Sequence, residues 1–230
     1  MRSLIIIVEG ETEHEFVKRV LTPYLVEVRG LNTGIHSIMI KMSGGGHGFN
    51  NIEHFKNTIA PVLHYSNQPV ITTLLDHYGI NSDAKMPGYS KITTKNVAER
   101  ISKMEAILNS IVQEIKPYRY FVPYIQQHEI ETLLFANPKA GFELAEDKRI
   151  MNDVIHLCVQ YESIEDINCT PEGAPSKRLE KIYKEYNLRY DKVTDAVDII
   201  VSGGGIEPIL EQCPRFKKWI DKLIDEVKKG

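Results

Sequence analysis

The sequence of 230 residues is poor in cysteine, in net charge and in long apolar runs, and each shortage excludes a class of protein. Its three cysteines, Cys158, Cys169 and Cys213, have no paired spacing, which argues for reduced thiols and against a disulfide framework or a zinc site. The first apolar run ends at Val8, too short for a signal peptide, and no later run approaches the length of a membrane span. We therefore expect a cytoplasmic protein without a membrane partner.

The formal net charge of −3 argues against broad electrostatic attraction for nucleic acid, although it is compatible with a local basic groove. Hydrophobic residues make up 42% of the chain and charged residues 26%. This composition is sufficient for one full core, or for one core with a small subdomain.

Residues 4–8, with the sequence LIIIV, form an unbroken apolar run typical of a strand buried on both faces of a parallel sheet. The run ends at Glu9, and a helical pattern follows directly. Open α/β sheets bind ligands at the carboxyl ends of their strands, where Glu9 stands. Glu13 lies four positions further on, so both carboxylates can face one point. Acids at a helix start also favour the helix dipole, which fully explains Glu11 and Glu15.

Strand and helix patterns alternate through the first part of the chain. Strands are predicted at 4–8, 35–40, 70–75 and 120–125, and helices at 12–25, 51–65 and 96–115. From about residue 137 only helices are predicted, at roughly 143–161, 175–187, 191–201 and 214–228. This order predicts βαβ crossovers and a Rossmann-like, mostly parallel four-stranded sheet flanked by helices. We place a domain boundary near residue 140, between an α/β domain (1–140) and a helical C-terminal part (141–230) packed on it.

Acidic residues also follow the third and fourth predicted strands, at Asp76 and at Glu129 and Glu131. The carboxyl ends of parallel strands meet at one edge, so these acids converge with Glu9 if strands one and three are neighbours. Crowded carboxylates raise one another's pKa unless a cation compensates, and oxygen ligands suit Mg²⁺ or Mn²⁺. Taken singly, each acid is better explained as a helix cap. Together they favour a metal site that activates water and stabilises a phosphoryl transition state.

The segment 8–13, VEGETE, resembles the Glu-Gly-x-Thr-Glu opening of Toprim domains, the topoisomerase–primase fold, particularly those of the overcoming-lysogenization-defect nucleases. Those domains have an Asp-x-Asp after the third strand, where this sequence reads Asp76-His77-Tyr78. The resemblance therefore implies a Toprim-like sheet and a metal-dependent nuclease in which tyrosine replaces one expected metal ligand.

Six motifs cover nearly the whole chain in order. They are Glu9-Gly10-x-Thr12-Glu13, Gly44-Gly45-Gly46, Leu75-Asp76-x-Tyr78-Gly79, Tyr124-Ile125-Gln126-x-His128-Glu129-x-Glu131-x-Leu133-Leu134-Phe135, Ala174-Pro175-Ser176-Lys177-Arg178-Leu179 and Cys213-Pro214-x-Phe216-x-x-Trp219. Together they resemble a bacterial Toprim-like family, domain-of-unknown-function family 4276. Its members resemble nuclease partners of ATPases encoded beside them in phage-defence and toxin-like loci. The resemblance thus implies an ATPase partner for this chain.

The chemistry and the resemblance together assign candidate roles. The predicted metal ligands are Glu9, Glu13, Asp76 and Glu129. The predicted catalytic residues are Glu9, Asp76, Glu129, Glu131 and Lys177. The predicted substrate-binding residues are Tyr78, His128, Arg178, Gly45 and Gly46.

Several of these residues have a plainer explanation beside the functional one. Lys177 and Arg178 open a helix and can hold a phosphate there, or they form a solvated helix face. His128 is a candidate general base or a structural residue. The glycine loop approaches a phosphodiester backbone or is a flexible connector, and no Gly-Lys-Ser/Thr follows it as in a Walker motif.

We therefore predict a Mg²⁺- or Mn²⁺-dependent nuclease whose DNA or RNA is delivered by a partner, since the chain is acidic. The alternative is a non-catalytic, Toprim-like regulatory or binding subunit of an ATPase complex, which the missing second aspartate favours. A small-nucleotide phosphohydrolase is a third hypothesis. The oligomeric state does not follow from the sequence.

Overall fold

The computed structural model describes residues 1–167 and 173–230. In this part of the chain five strands form one sheet in which every pairing is parallel. The strands are β1 (Leu4–Val8), β2 (Ile35–Met39), β3 (Val70–Asp76), β4 (Phe121–Val122) and β5 (Ile125–Gln126). Their order is β2-β1-β3-β4, and β5 extends the β4 side by pairing with the end of β3. Strands one and three are therefore neighbours, which is the condition for Glu9 and Asp76 to lie at the same edge.

The structure corrects the predicted fourth strand, which is divided into β4 and β5. Pro123 explains the break, and the side chain of Thr73 explains why the strand continues after it. Pro123 has no N–H to donate to a ladder, so pairing breaks after Val122. At the break the Thr73 hydroxyl donates to the Tyr124 carbonyl (2.7 Å) and accepts from the Tyr124 N–H (2.8 Å). This hydroxyl replaces the lost ladder bonds and lets β5 resume beside the last residues of β3.

The helices follow the predicted order with changed bounds. On the α/β side they are α1 (Glu11–Phe16), continued by π-helical turns at Val17–Leu21 and Tyr24–Val28, then α2 (Ile52–Val62) and α3 (Val97–Ile115). The later helices are α4 (Pro138–Gly141), α5 (Lys148–Cys158), α6 (Pro175–Glu185), α7 (Lys192–Ser202), α8 (Glu207–Gln212) and α9 (Pro214–Lys228). Short 3-10 helices lie at Tyr89–Lys91, Ile130–Ala136 and Ile164–Asp166.

The helices differ from the sequence prediction in two places. The helix predicted at 143–161 begins only at Lys148, because the Asp147 side chain caps it by accepting from the Arg149 N–H (2.9 Å). The glycine-rich stretch 203–205 follows the end of α7, and the short helix α8 after it was not predicted.

Alternate residues of β1 enter two hydrophobic cores on opposite faces of the sheet. Ile5 and Ile7 pack with buried side chains of α2 and α3. Leu4, Ile6 and Val8 pack with α1 and with the C-terminal helices, down to Val227 at the end of α9. The C-terminal helices therefore share one face of the sheet with α1. The division into two domains near residue 140 stays a prediction.

The last helix is anchored to the sheet by Trp219. Its indole stacks on the Tyr124 ring with centroids 4.3 Å apart, and its Nε1–H donates to the Thr72 hydroxyl of β3 (2.8 Å). Both aromatic residues are buried in the core.

Two cysteines of the described chain, Cys158 and Cys213, are free thiols, and Cys169 lies outside the described residues. Among the described residues, no helix combines the length and the apolar character that crossing a membrane requires.

Candidate functional site

Acidic side chains converge where β1, β3 and β5 end. Glu9 follows β1, Asp76 is the last residue of β3, and Glu129 follows β5 at the start of a 3-10 helix that contains Glu131. The pairing of Asp76 with Gln126 brings the end of β5 to the end of β3. Glu13 in the first turn of α1 completes the group, which we call the acidic cluster. The convergence predicted from the parallel topology is thus present.

Backbone N–H groups at helix starts orient two of the carboxylates. Glu13 Oε2 accepts from the Gly10 N–H (2.9 Å), which closes the first turn of α1. Asp76 Oδ1 accepts from the Ile130 N–H (3.1 Å), at the start of the 3-10 helix. Such bonds hold each carboxylate in one rotamer, as a preformed binding site requires.

Glu129 is held by the beginning of α6. Its two oxygens accept from the backbone N–H (3.0 Å) and the hydroxyl (3.1 Å) of Ser176. Both residues are buried, so a charge at Glu129 gains from the N-terminal end of this helix. The motif that begins at Ala174 therefore contributes to the site through Ser176.

Lys192 is a member of the site that the sequence analysis missed. Its Nζ lies 3.2 Å from Glu131 Oε1 and 3.9 Å from Asp76 Oδ2. It is the first residue of α7, whose N-cap Asp191 accepts from the next N–H groups of the helix. A lysine in the first turn opposes the helix dipole, and this was the signal available in the sequence.

The acidic cluster carries more negative charge than its surroundings neutralise. Burial, followed by repulsion from Glu13, raises the pKa of Glu9 from 4.5 to about 7. Burial likewise raises the pKa of Glu131 to about 7, although Lys192 opposes the shift. Burial and then Glu13 hold the pKa of Asp76 well above its usual range. Burial also raises the pKa of Glu13.

Lys192 stays charged in this environment. Desolvation alone would lower its pKa, but attraction to Asp76, Glu131, Glu129 and Glu13 outweighs desolvation and raises it above the ordinary value. One ammonium group thus faces four carboxylates, which leaves a deficit of positive charge.

Three carboxylate oxygens of the acidic cluster are buried without a hydrogen bond in the described part of the chain: Glu9 Oε2 and both oxygens of Glu131. The 3.2 Å contact of Lys192 with Glu131 is an ion pair that lacks hydrogen-bond geometry. Buried carboxylate oxygens without partners are costly unless another group binds them. They therefore mark the place where a ligand is expected.

The donor set fits a hard divalent cation. In residues 1–167 and 173–230 no three His, Cys, Asp or Glu side chains already stand together as a metal-binding group. However, the unpaired oxygens and the charge deficit are what Mg²⁺ or Mn²⁺ would satisfy. Gly79 lies against the Glu9 carboxylate, because a Cβ built on it would be 3.6 and 3.9 Å from the two Glu9 oxygens, in van der Waals contact.

The structure places Lys177 and Arg178 differently from the prediction. The Lys177 ammonium is exposed and pairs with Glu180 of its own helix (2.8 and 2.9 Å). Arg178 donates to the Gly173 carbonyl (2.7 Å) and to the Tyr161 hydroxyl (2.8 Å). Neither cation contacts the carboxylates of the acidic cluster in this arrangement, whereas Lys192 does. The catalytic role of Lys177 and the substrate-binding role of Arg178 stay predictions.

His128 and Tyr78 lie at the border of the acidic cluster. His128 has a left-handed backbone (φ 65°), its buried ring Nε2 lies 2.8 Å from the Glu165 carbonyl oxygen, and burial lowers its pKa. The His128 carbonyl accepts from the Tyr78 N–H (3.0 Å), while the Tyr78 side chain is 37% exposed. His128 thus fixes the turn that precedes Glu129, and Tyr78 presents its ring to solvent.

Gly45 and Gly46 form a closed turn after β2. Both have positive φ (90° and 79°), the Gly45 N–H donates to the Met42 carbonyl, and the Met42 N–H donates to the Gly46 carbonyl. Glycine is needed there for the backbone conformation. Their predicted contact with substrate stays a prediction.

The raised pKa of Glu131 predicts that the metal-free protein loses stability as the pH rises. Between pH 4.5 and about 7 the folded state retains a proton that the unfolded chain has released, so the free energy of unfolding falls across this window. The full effect is about 3 kcal/mol for this residue. We expect Glu131→Gln to be more stable than the wild type at about pH 8, by roughly 1–3 kcal/mol, and equal to it at about pH 4.

Urea denaturation in a chelator at both pH values measures this difference. Glu143→Gln, at an exposed position, is the matched control and should leave the free energy of unfolding unchanged at both. A glutamine variant that is less stable than the wild type at about pH 8 would show that the Glu131 charge is compensated.

Two solved structures resemble the chain over almost its whole length. The C-terminal region of the Burkholderia pseudomallei OLD protein has a TM-score of 0.45 and 16% identity, with 99% of each chain covered. The C-terminal region of the Xanthomonas campestris pv. campestris OLD protein has a TM-score of 0.44 and 15% identity, covering 98% of this chain and 94% of the other. No curated protein matches the chain.

A family model described as "Domain of unknown function (DUF4276)" matches residues 8–224. The match begins at the last residue of β1 and ends within α9, so it includes every member of the acidic cluster, and Lys192. The motifs from which the sequence analysis inferred this family lie within the same range. The chain therefore belongs to the DUF4276 family.

Proposed function

We propose that the acidic cluster binds Mg²⁺ or Mn²⁺ and that the protein hydrolyses phosphodiester bonds in DNA or RNA. The observation that carries this proposal is the set of buried, unpaired carboxylate oxygens at the carboxyl edge of the sheet, beside the ammonium group of Lys192. The likeness of residues 8–13 to the Toprim opening supports the choice of reaction.

In this proposal Glu9, Glu13, Asp76 and Glu129 hold the ion. When bound, the ion supplies an activated water and offsets the charge of the phosphoryl transition state. Glu131 has unpaired oxygens and a pKa of about 7, so one of them can accept the proton of the attacking water near neutral pH.

Lys192 has a separate role in this scheme. Its ammonium is fixed by Glu131 and Asp76 and its side chain is 41% exposed, so it faces both the carboxylates and the solvent side of the cluster. A phosphate entering from solvent would meet a positive charge that offsets its repulsion by the carboxylates. The net charge of −3 further supports delivery of the nucleic acid by a partner, and the family resemblance favours an ATPase in that role.

Two observations favour a second candidate, a non-catalytic binding subunit of an ATPase complex. Lys192 already partly neutralises the cluster, and Tyr78 stands where related domains have a second aspartate. In that case the acidic cluster would bind metal for stability only.

The test is a cleavage assay on plasmid, single-stranded DNA and tRNA with Mg²⁺, Mn²⁺ or a chelator, with and without the neighbouring ATPase. We expect cleavage with a divalent metal and none with the chelator. Absence of cleavage under every condition would reject the nuclease. Titration calorimetry with Mn²⁺ then tests the second candidate. A non-catalytic subunit that metal stabilises must still bind Mn²⁺.

A further inference from the structure

A second lysine reaches the acidic cluster from the loop that follows β3. Lys85 Nζ donates a hydrogen bond to the Gly79 carbonyl (2.7 Å). Gly79 lies against Glu9, since a Cβ built on it would be 3.6 and 3.9 Å from the two Glu9 carboxylate oxygens. The hydrogen bond to Gly79 therefore holds the Lys85 ammonium on the Glu9 side of the acidic cluster, and none of the chemistry proposed above uses it.

The loop holds Lys85 in place through buried neighbours. Ile80 and Met86, on either side of it, are buried in the core shared with α2 and α3. The Ile52 N–H donates to the Ala84 carbonyl (3.0 Å), which ties the adjacent residue to the start of α2. A lysine on an exposed turn normally extends into water, and ordering its side chain costs conformational entropy. Here the fixed turn directs it back to the acidic cluster.

The charge of Lys85 is not paired with a carboxylate. An ammonium group has three donors, and the hydrogen bond to Gly79 uses one of them. No ion pair of Lys85 occurs in residues 1–167 and 173–230, whereas Lys56 of α2 pairs with Glu53 and Lys177 of α6 pairs with Glu180. Lys85 thus has two donors and a full charge available for an anion.

We propose that Lys85 binds a phosphate of the nucleic-acid strand that enters the acidic cluster. The inference rests on the proposed function and assigns the substrate contact on the Glu9 side, whereas Lys192 lies beside Asp76 and Glu131. A phosphate oxygen is the ligand that suits it, because ammonium groups bind phosphate as point charges. The carbonyl of Gly79 fixes the position of that charge.

The experiment measures binding of a short fluorescein-labelled single-stranded DNA by anisotropy. Ca²⁺ replaces Mg²⁺ so that binding is observed without turnover, and the salt concentration is varied. For Lys85→Gln and Lys85→Met we expect Kd to rise about 5- to 10-fold, and the slope of log K against log salt to fall by about 0.7, the value for one phosphate contact. Lys85→Arg retains the charge and should bind within about 2-fold of the wild type.

Lys91→Gln is the matched control, because it removes a lysine charge from the same loop at an exposed position. If both Lys85 variants match it in Kd and in salt slope, the inference is overturned. Thermal unfolding of each variant ensures that a folded protein is compared, and the arginine variant tests the charge if either neutral variant unfolds.

The cleavage assay separates this inference from the proposed function. Wild-type cleavage together with normal binding by both neutral Lys85 variants rejects the Lys85 contact and retains the nuclease. Binding that depends on Lys85 without any cleavage retains the contact and rejects the nuclease. A wild-type protein that neither binds nor cleaves rejects both.

Discussion

Replacing Asp76 with asparagine is expected to lower the rate of cleavage by about 1,000-fold and to leave the protein folded. Asparagine keeps the Oδ1 acceptor for the Ile130 N–H, so the local backbone is preserved. It removes the negative charge and places an amide in the position of Oδ2, which faces Lys192 at 3.9 Å. Because burial and Glu13 disfavour the Asp76 charge, the variant should be at least as stable as the wild type in the absence of metal.

Single-turnover cleavage in Mg²⁺ measures the rate, and thermal unfolding confirms the fold. Asp83→Asn is the matched control, because it makes the same change in the loop after β3 at an exposed side chain that accepts from the Ser90 N–H. It should cleave at the wild-type rate. Cleavage by Asp76→Asn within about 10-fold of the wild type would place the active site elsewhere.

The positions of Glu9 and Asp76 could be predicted because they follow from the burial of apolar strands and from the parallel arrangement of those strands. A continuous apolar run such as residues 4–8 is typical of a strand covered on both faces, as the strands of a parallel sheet are. A parallel sheet in turn brings the ends of its strands to one edge. The register of β1 against β3 bears this out, with Val8 opposite Leu74.

The role of Ser176 could not be predicted, because it depends on how the C-terminal helices pack. The sequence analysis named the motif around Ser176 and chose its two cations, which are its most polar residues. In the structure the start of α6 points at Glu129, so the serine enters the site and Lys177 turns to Glu180. A helix start favours a carboxylate regardless of which side chains follow it.

The division of the fourth strand has a similar cause. Pro123 signalled an interruption, but the continuation as β5 depends on the Thr73 hydroxyl of a neighbouring strand. Local pattern does not contain such a contact, since the two residues are 51 positions apart in the chain. The continuation matters for function because β5 leads directly into Glu129.

Replacing Lys192 with methionine is expected to lower the cleavage rate by about 100-fold and to move the acidic limb of the pH–rate profile to higher pH. Methionine retains much of the side-chain length and removes the charge. Lys192 lowers the pKa values of Glu131 and Asp76 by attraction, so its loss raises them further. A higher pH is then needed to ionise the carboxylates, which is an effect that a purely structural residue would not produce.

The pH–rate profile of Lys192→Arg should keep its acidic limb near that of the wild type, because the charge is retained. Lys181→Met, at an exposed position on α6, is the control for loss of a surface charge. Lys177→Met decides between the two lysines: if it shifts the profile and Lys192→Met does not, the cation of the site is the one at the start of α6. The contacts of 3.2 and 3.9 Å from Lys192 to Glu131 and Asp76 favour the opposite result.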